Sequence, residues 1–310
     1  MRILIGVTVL AVLAVTLTGC GLSVGGRHEE TTSYDGPAGV TKLKVKAGSG
    51  RVEIVASDSP GIRVHEKRSW SNERNKPEAE HVVEGGMLSL SAKCGRNVIG
   101  WGGACGVSYR VEVPRSIAVE IVNDDGSINV AGLAGAVRLR TGTGAITASD
   151  LRASTVSISA GDGRLRVSGR VGTADLRTGT GAINATGLTA DRVTARSGDG
   201  TIRVSGRATT AELRTDTGTI DADGLSTDRI MARTGDGQIS LALAAPPSNV
   251  RATTGTGTIS VRLPGGQPYK LDLSTGTGGK KIDPAVHNDS ASPRLVKLTT
   301  GDGSIIVSPA

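Results

Sequence analysis

Phenylalanine is absent from the 310 residues, and two tryptophans with three tyrosines bring the aromatic share to only 2%. So few rings leave no stacking platform for single-stranded nucleic acid, and they deny the chain the large side chains of an ordinary globular core. Histidine is almost as scarce. His28, His65, His81 and His287 form no ligand spacing with the cysteines, so neither a metal centre nor another cofactor is expected. No Gly-x-Ser-x-Gly elbow precedes a helix, and no histidine stands where it would serve as base to a nucleophile. The chain reads as non-enzymatic. Long hydrophobic runs are missing too: Ile3–Leu17 is the longest apolar stretch, short of the ~20 residues that cross a bilayer.

That stretch has another reading. Arg2 supplies a positive start, Ile3–Leu17 the apolar segment, and Leu17-Thr18-Gly19-Cys20 a lipobox, so residues 1–19 are expected to be removed as a lipoprotein signal peptide. Cys20 then carries palmitate-type acyl chains. At ~0.8 kcal/mol per buried CH₂, several chains hold a protein on membrane lipid, on the extracytoplasmic side of the cell membrane of a bacterium. Cleavage removes one of the 36 basic residues, lowering the net charge from +7 to +6. Cys94 and Cys105 remain as an even pair in an oxidising location, which predicts a disulfide worth about 2–3 kcal/mol by the chain-entropy estimate.

Residues 20–39 are polar, rich in glycine and without apolar period, as a flexible tether would be. From Val40 short alternations begin, at Leu43–Lys46, Val52–Ile54, Ile62–Lys67, Met87–Ala92 and Tyr109–Val113, and these predict strands. Residues 40–119 read as an irregular β region holding the disulfide loop, and residues 120–310 as a regular β-repeat array. The array declares itself through a recurring tetrad. Thr141-Gly142-Thr143-Gly144 returns at 160–163, 178–181, 197–200, 215–218, 234–237, 254–257, 275–278 and 300–303, with the third residue alternating Thr and Asp from 143 to 236. Its second glycine advances in steps of 19, 18, 19, 18 and 19 from Gly144 to Gly237, so the duplicated unit is a 37-residue pair.

Apolar residues sit two apart on both sides of each tetrad: Ala174 and Leu176 before it, Ile183 and Ala185 after it. Leu133, Leu151, Leu188 and Leu225 follow as a further inward set. Each 18 or 19 residues thus supplies two short strands and two corners, one coil of an all-β solenoid of the parallel β-helix kind. The alternative is an antiparallel repeat sheet or propeller, because strand, tight turn and strand also describe a hairpin. The C-terminal coil, ending Ile305-Ile306-Val307-Ser308, is expected at an open end of the stack, where it would pair edge to edge.

The lipobox, the T-G-T-G-x-I and T-G-D-G-x-I turns, and WGGACGVSYRVEVP at 101–114 together resemble the bacterial β-strand-repeat family, over about residues 40–310. That family is described as adhesin-like or of unknown function, so the resemblance implies fold and cell-surface location more than activity.

Three constellations bear on function. Asp162, Asp199 and Asp236 share one corner two coils apart, too widely spaced for one cation or a catalytic pair. Arg140, Arg177, Arg196, Arg214 and Arg233 each stand four residues before their second glycine, forming an outward ladder that an anionic cell-wall polymer would neutralise, unless Asp175 and Glu212 do so. Trp101, inside the disulfide loop, is either a contact residue or a cover for the first coil. A non-catalytic binding or structural role in the cell envelope follows, adhesin-like and without nucleic acid. The alternatives are an envelope-stress or signalling accessory that binds a membrane protein through residues 40–119, and a carbohydrate-active β-helix enzyme.

Overall fold

The computed structural model describes residues 27–94 and 105–310. Cys20 and Trp101 lie outside these residues. The chain winds into parallel coils whose equivalent strands pair in register, Thr178 with Ser197 and Ser197 with Thr215, so the solenoid holds and the antiparallel repeat does not.

Each coil has three sides, not two. Along Ile183–Asp199 the inward residues fall into three runs, Ile183 with Ala185, Leu188 with Ala190, and Val193 with Ala195 and Ser197, separated by exposed pairs. The first side is the longest and ends in the tetrad, the second begins at the isoleucine after it, and the third follows the leucine corner. The alternation of 19 and 18 residues also has a local cause. A 19-residue coil carries one extra residue at that corner: Gly187 and Gly224 both take φ +67°, and the register of the sheet shifts beside them. Such an inserted residue is a β-bulge, and it turns the following leucine inward.

The absence of phenylalanine now has a physical reason. Down the interior columns large and small side chains alternate, as in Leu176, Ala195, Leu213 and Ala232, or Ala174, Val193, Ala211 and Ile230. Only Ile183, Ile202, Ile220 and Ile239 repeat unchanged, all fully buried. A core ~10 Å across is filled at native density by such interlocking, and a ring at any of these positions would overfill it.

Both ends of the stack break chain order. At the N-terminal end the coil Lys42–Ser49 and Val52–Ser57 lies between Met87–Lys93 with Cys105–Pro114 on one side and Ala118–Asp125 with Ile128–Ala131 on the other. A boundary at 119/120 therefore runs through a strand, and the stack already begins with residues 42–57. At the other end the C-terminal strands Leu295–Asp302 and Ile305–Pro309 are enclosed between Asn249–Thr256 with Ile259–Leu263 and Lys270–Thr277 with Lys280–Ile282. The expected free edge at Ile305–Ser308 is thus paired on both sides, and the outermost strand is Lys270–Thr277.

The segment read as a tether is partly structured. His28–Asp35 is a strand, antiparallel to Arg63–Trp70, which in turn runs antiparallel to Cys105–Pro114. Its charges, which made it look like a linker, are cross-strand partners: Glu29 meets Lys67 at 2.9 Å and Asp35 meets Arg63 at 3.1 Å. Cys94 and Cys105 are joined, with Cα atoms 5.9 Å apart, tying the end of Met87–Lys93 to the start of Cys105–Pro114. Glu78–Glu84, read as part of a charged loop, adds a further antiparallel edge strand to Met87–Lys93.

Candidate binding faces

The tetrad can be read residue by residue. Its first residue points inward, and its hydroxyl donates to the carbonyl of the second glycine in the neighbouring coil: Thr178 to Gly163 at 3.1 Å, Ser197 to Gly181 at 3.1 Å, Thr215 to Gly200 at 3.2 Å, Thr234 to Gly218 at 3.1 Å. These hydroxyls are buried, so each satisfies a carbonyl that the turn would otherwise leave unpaired. At the fourth position, Gly200 has φ +152°, and a Cβ there would lie 2.0 Å from the carbonyl oxygen of Gly181. Glycine is required where one turn rests on another.

The third residue faces solvent. Register aligns Asp125, Thr143, Asp162, Thr180, Asp199, Thr217, Asp236 and Thr256 in one column. Each carboxylate thus has a threonine above and below it, and successive carboxylates stand two coil steps, ~10 Å, apart. The Thr143 hydroxyl donates to Asp125 at 2.6 Å, and Thr277 does the same for Asp302. Alternation removes the repulsion of stacked like charges, and the column is a structural ladder with no carboxylate pair.

The arginine ladder forms with one break. Arg177, Arg196, Arg214 and Arg233 are direct register neighbours, ~4.8 Å apart, whereas Ser159 separates Arg140 from Arg177. Acids on the same side answer most of this charge. Arg177 meets Asp175 at 2.8 Å, Arg196 meets Glu212 at 2.8 Å, and Arg214 meets Asp216 at 3.3 Å. Glu212 therefore serves Arg196 in the adjacent coil and not Arg214, which stands two residues beyond it. Arg140 and Arg233 have no acidic partner among the described residues, and Arg233 stands beside the half-exposed Met231.

Other arginines lie on the second and third sides. Arg166 and Arg203 occupy one column of the second side, separated by Asn184, and Arg170 and Arg207 lie just past the corner. Their signal in the sequence is the string R-V-S-G-R, at 166–170 and again at 203–207, 37 residues apart. It escapes a search centred on the tetrad because it belongs only to the 18-residue coils. Arg166, Arg170 and Arg207 have no acidic partner among the described residues, and Arg203 reaches Asp221 only at 3.9 Å.

The N-terminal cap is chemically different. Glu66, 3% exposed, accepts a hydrogen bond from Arg68 at 2.6 Å. Burial, reinforced by Glu66, holds the phenols of Tyr34 and Tyr109 well above their usual range. Tyr34 packs on His81 and Trp70 on His28. On the outer edge strand Val82 and Val83 are 54% and 48% exposed.

The Toastrack DUF4097 family pattern matches residues 40–307, nearly the whole of this solenoid. The chain belongs to that family. No curated protein matches it. Among solved structures, this Toastrack chain is similar to a "putative adhesin" of Bacteroides fragilis, at 12% identity and TM-score 0.36, over 90% of this chain and 97% of that one. It is similar also to a "putative lipid binding protein" of Parabacteroides distasonis, at 14% identity and TM-score 0.45, over 90% and 96%. At such identities and TM-scores these likenesses assign no activity to the Toastrack chain.

Proposed function

We propose that this Toastrack protein is an extracytoplasmic lipoprotein, anchored through Cys20, which binds an anionic envelope polymer without catalysing its turnover. The observation that carries this reading is the in-register arginine ladder of the first side, repeated at the spacing of the coils. Its ion pairs do not block the role. The paired arginines remain 39–58% exposed, and exposed ion pairs contribute at most about 1 kcal/mol, so a polyanion competes with Asp175, Glu212 and Asp216 for the same cations. Weak contacts repeated along a rigid stack add by multivalency.

The test is retention of the mature chain on isolated cell wall across a salt series. Retention that falls with salt, and falls further when Arg177, Arg196, Arg214 and Arg233 become Gln, is the expected result. Undiminished retention of that variant removes the ladder from the mechanism. A second reading, docking to a membrane protein through the cap, is favoured by the exposed Val82 and Val83 on an edge strand. It gains if Val82→Ser and Val83→Ser abolish capture of one membrane protein while wall retention is absent in both forms.

A further inference from the structure

A shallow cleft of about 430 Å³ opens on the second side, bounded by Arg166 and Arg203 and lined by Thr147, Ser168, Asn184 and Thr186. Its volume lies within the ~300–1,000 Å³ common for small-ligand sites. No carboxylate lines it. The two arginines stand two coil steps apart, ~10 Å, with Asn184 between them in the same column, so both guanidinium groups reach over one floor. Arg166 has no acidic partner among the described residues, and the 3.9 Å separation of Arg203 from Asp221 is beyond hydrogen-bonding range.

The second, independent observation is in the floor. The Oδ1 atom of Asn184 is shut off from solvent and has no hydrogen-bond partner. A buried acceptor left without a donor costs about 1–3 kcal/mol, so an occupant that brings a hydroxyl recovers that cost. The arginine rims ask for an anion, and planar guanidinium forks suit phosphate oxygens in particular. Side-chain hydroxyls from Thr147, Ser168 and Thr186 offer both donors and acceptors around the floor. Neither a bare anion nor a neutral sugar answers both demands.

We infer that this cleft binds a polyol or sugar phosphate, with its phosphate held between Arg166 and Arg203 and a hydroxyl donated to Asn184. The same chemistry occurs in phosphodiester wall polymers and in polyol-phosphate lipid headgroups. The site is separate from the ladder of the first side, so its failure and that of the polymer reading are distinguishable.

Titration of the mature chain with glucose 1-phosphate, glycerol 3-phosphate, glucose and inorganic phosphate, followed by NMR shifts of the Asn184 side-chain amide and by calorimetry, tests it. The expected result is saturable binding of the two hydroxylated phosphates, at least about tenfold tighter than either glucose or inorganic phosphate. Arg166→Gln and Arg203→Gln each weaken it about tenfold, and Asn184→Ala narrows the advantage over inorganic phosphate, with thermal midpoints unchanged in all three. Competition by wall polymer, or by vesicles containing phosphatidylglycerol, identifies the source. Absence of saturable binding overturns the proposal, as does binding indifferent to Arg166→Gln and Arg203→Gln. Wall retention lost only with the four-arginine variant of the first side, while the cleft stays silent, leaves the polymer reading standing and removes this one.

Discussion

Between Val137 and Leu263 each strand pairs only with the coil before it and the coil after it, 18 to 20 residues away. In the N-terminal cap the pairings are long and idiosyncratic: His28 with Trp70, Trp70 with Cys105, Lys42 with both Met87 and Ala118. The array buries aliphatics and hydroxyls, and the cap buries an ion pair, two tyrosines and a tryptophan around a covalent bridge. One region is stabilised by a local rule applied repeatedly, so its stability is close to a sum over neighbouring coils. The other must close the end of that stack, and a surface met only once needs contacts that occur only once.

The comparison breaks most severely at a turn. Gly200→Ala places a methyl 2.0 Å from the Gly181 carbonyl, at a φ that alanine resists, and backbone has to move on both sides of the interface. The expected loss is about 4 kcal/mol, read by chemical denaturation, with a shallower transition as the array parts into two blocks. A variant that unfolds in one step with unchanged slope would show that the coils act as one unit.

The cap responds to a different change. Cys94→Ser with Cys105→Ser is expected to cost about 2–3 kcal/mol and to expose residues 63–114 to protease while the array remains intact. Uniform cleavage along the chain would mean that the cap also holds the array together.

The array was legible in sequence because its rule is local. Period, tetrad and alternation each lie within 37 residues, so strands, inward residues and the parallel stack could be read without partners. The third side was missed because only two inward residues mark it, and because Gly169 and Gly206 stand where the 19-residue coils have leucine. The swapped coils at both ends leave no local trace: nothing in Leu295–Asp302 says that it pairs with Asn249–Thr256 before Lys270–Thr277 does. His28–Asp35 failed for a related reason, since its charges look like linker until Lys67 and Arg63 are placed opposite. The arginine column followed from spacing, but which acid answers which arginine depends on rotamers across coils, as Arg196 with Glu212 shows.

A smaller effect sharpens the role of the hydroxyl column. Thr215→Val keeps the shape and removes the donor to the carbonyl of Gly200, leaving that acceptor buried, for a loss of about 1 kcal/mol. Ala160 already occupies this column without a hydroxyl, so Ala160→Thr is expected to stabilise by a similar or smaller amount. Equal midpoints for Thr215→Val and the parent in a thermal melt would reduce the column to a packing role.

The smallest effect lies where the two regions meet. Glu120, on the first strand after the cap, receives Lys42 at 2.8 Å and Lys44 at 3.2 Å from the coil Lys42–Ser57, and the Lys42 hydrogen bond is the main cause that holds its carboxyl below the usual value. A carboxylate whose folded pKa is depressed contributes stability above its unfolded value, near 4.5, and that contribution disappears as pH falls through the folded value. Glu120→Gln is therefore expected to lower the thermal midpoint slightly at pH 7, with the gap closing below about pH 4.5. Because the pair joins cap to array, the same variant should raise hydrogen exchange in Lys42–Ser49 while leaving Ile183–Asp199 unaffected. A gap that persists unchanged at pH 3 would assign the loss to packing of the glutamine and not to the charge that links the two regions.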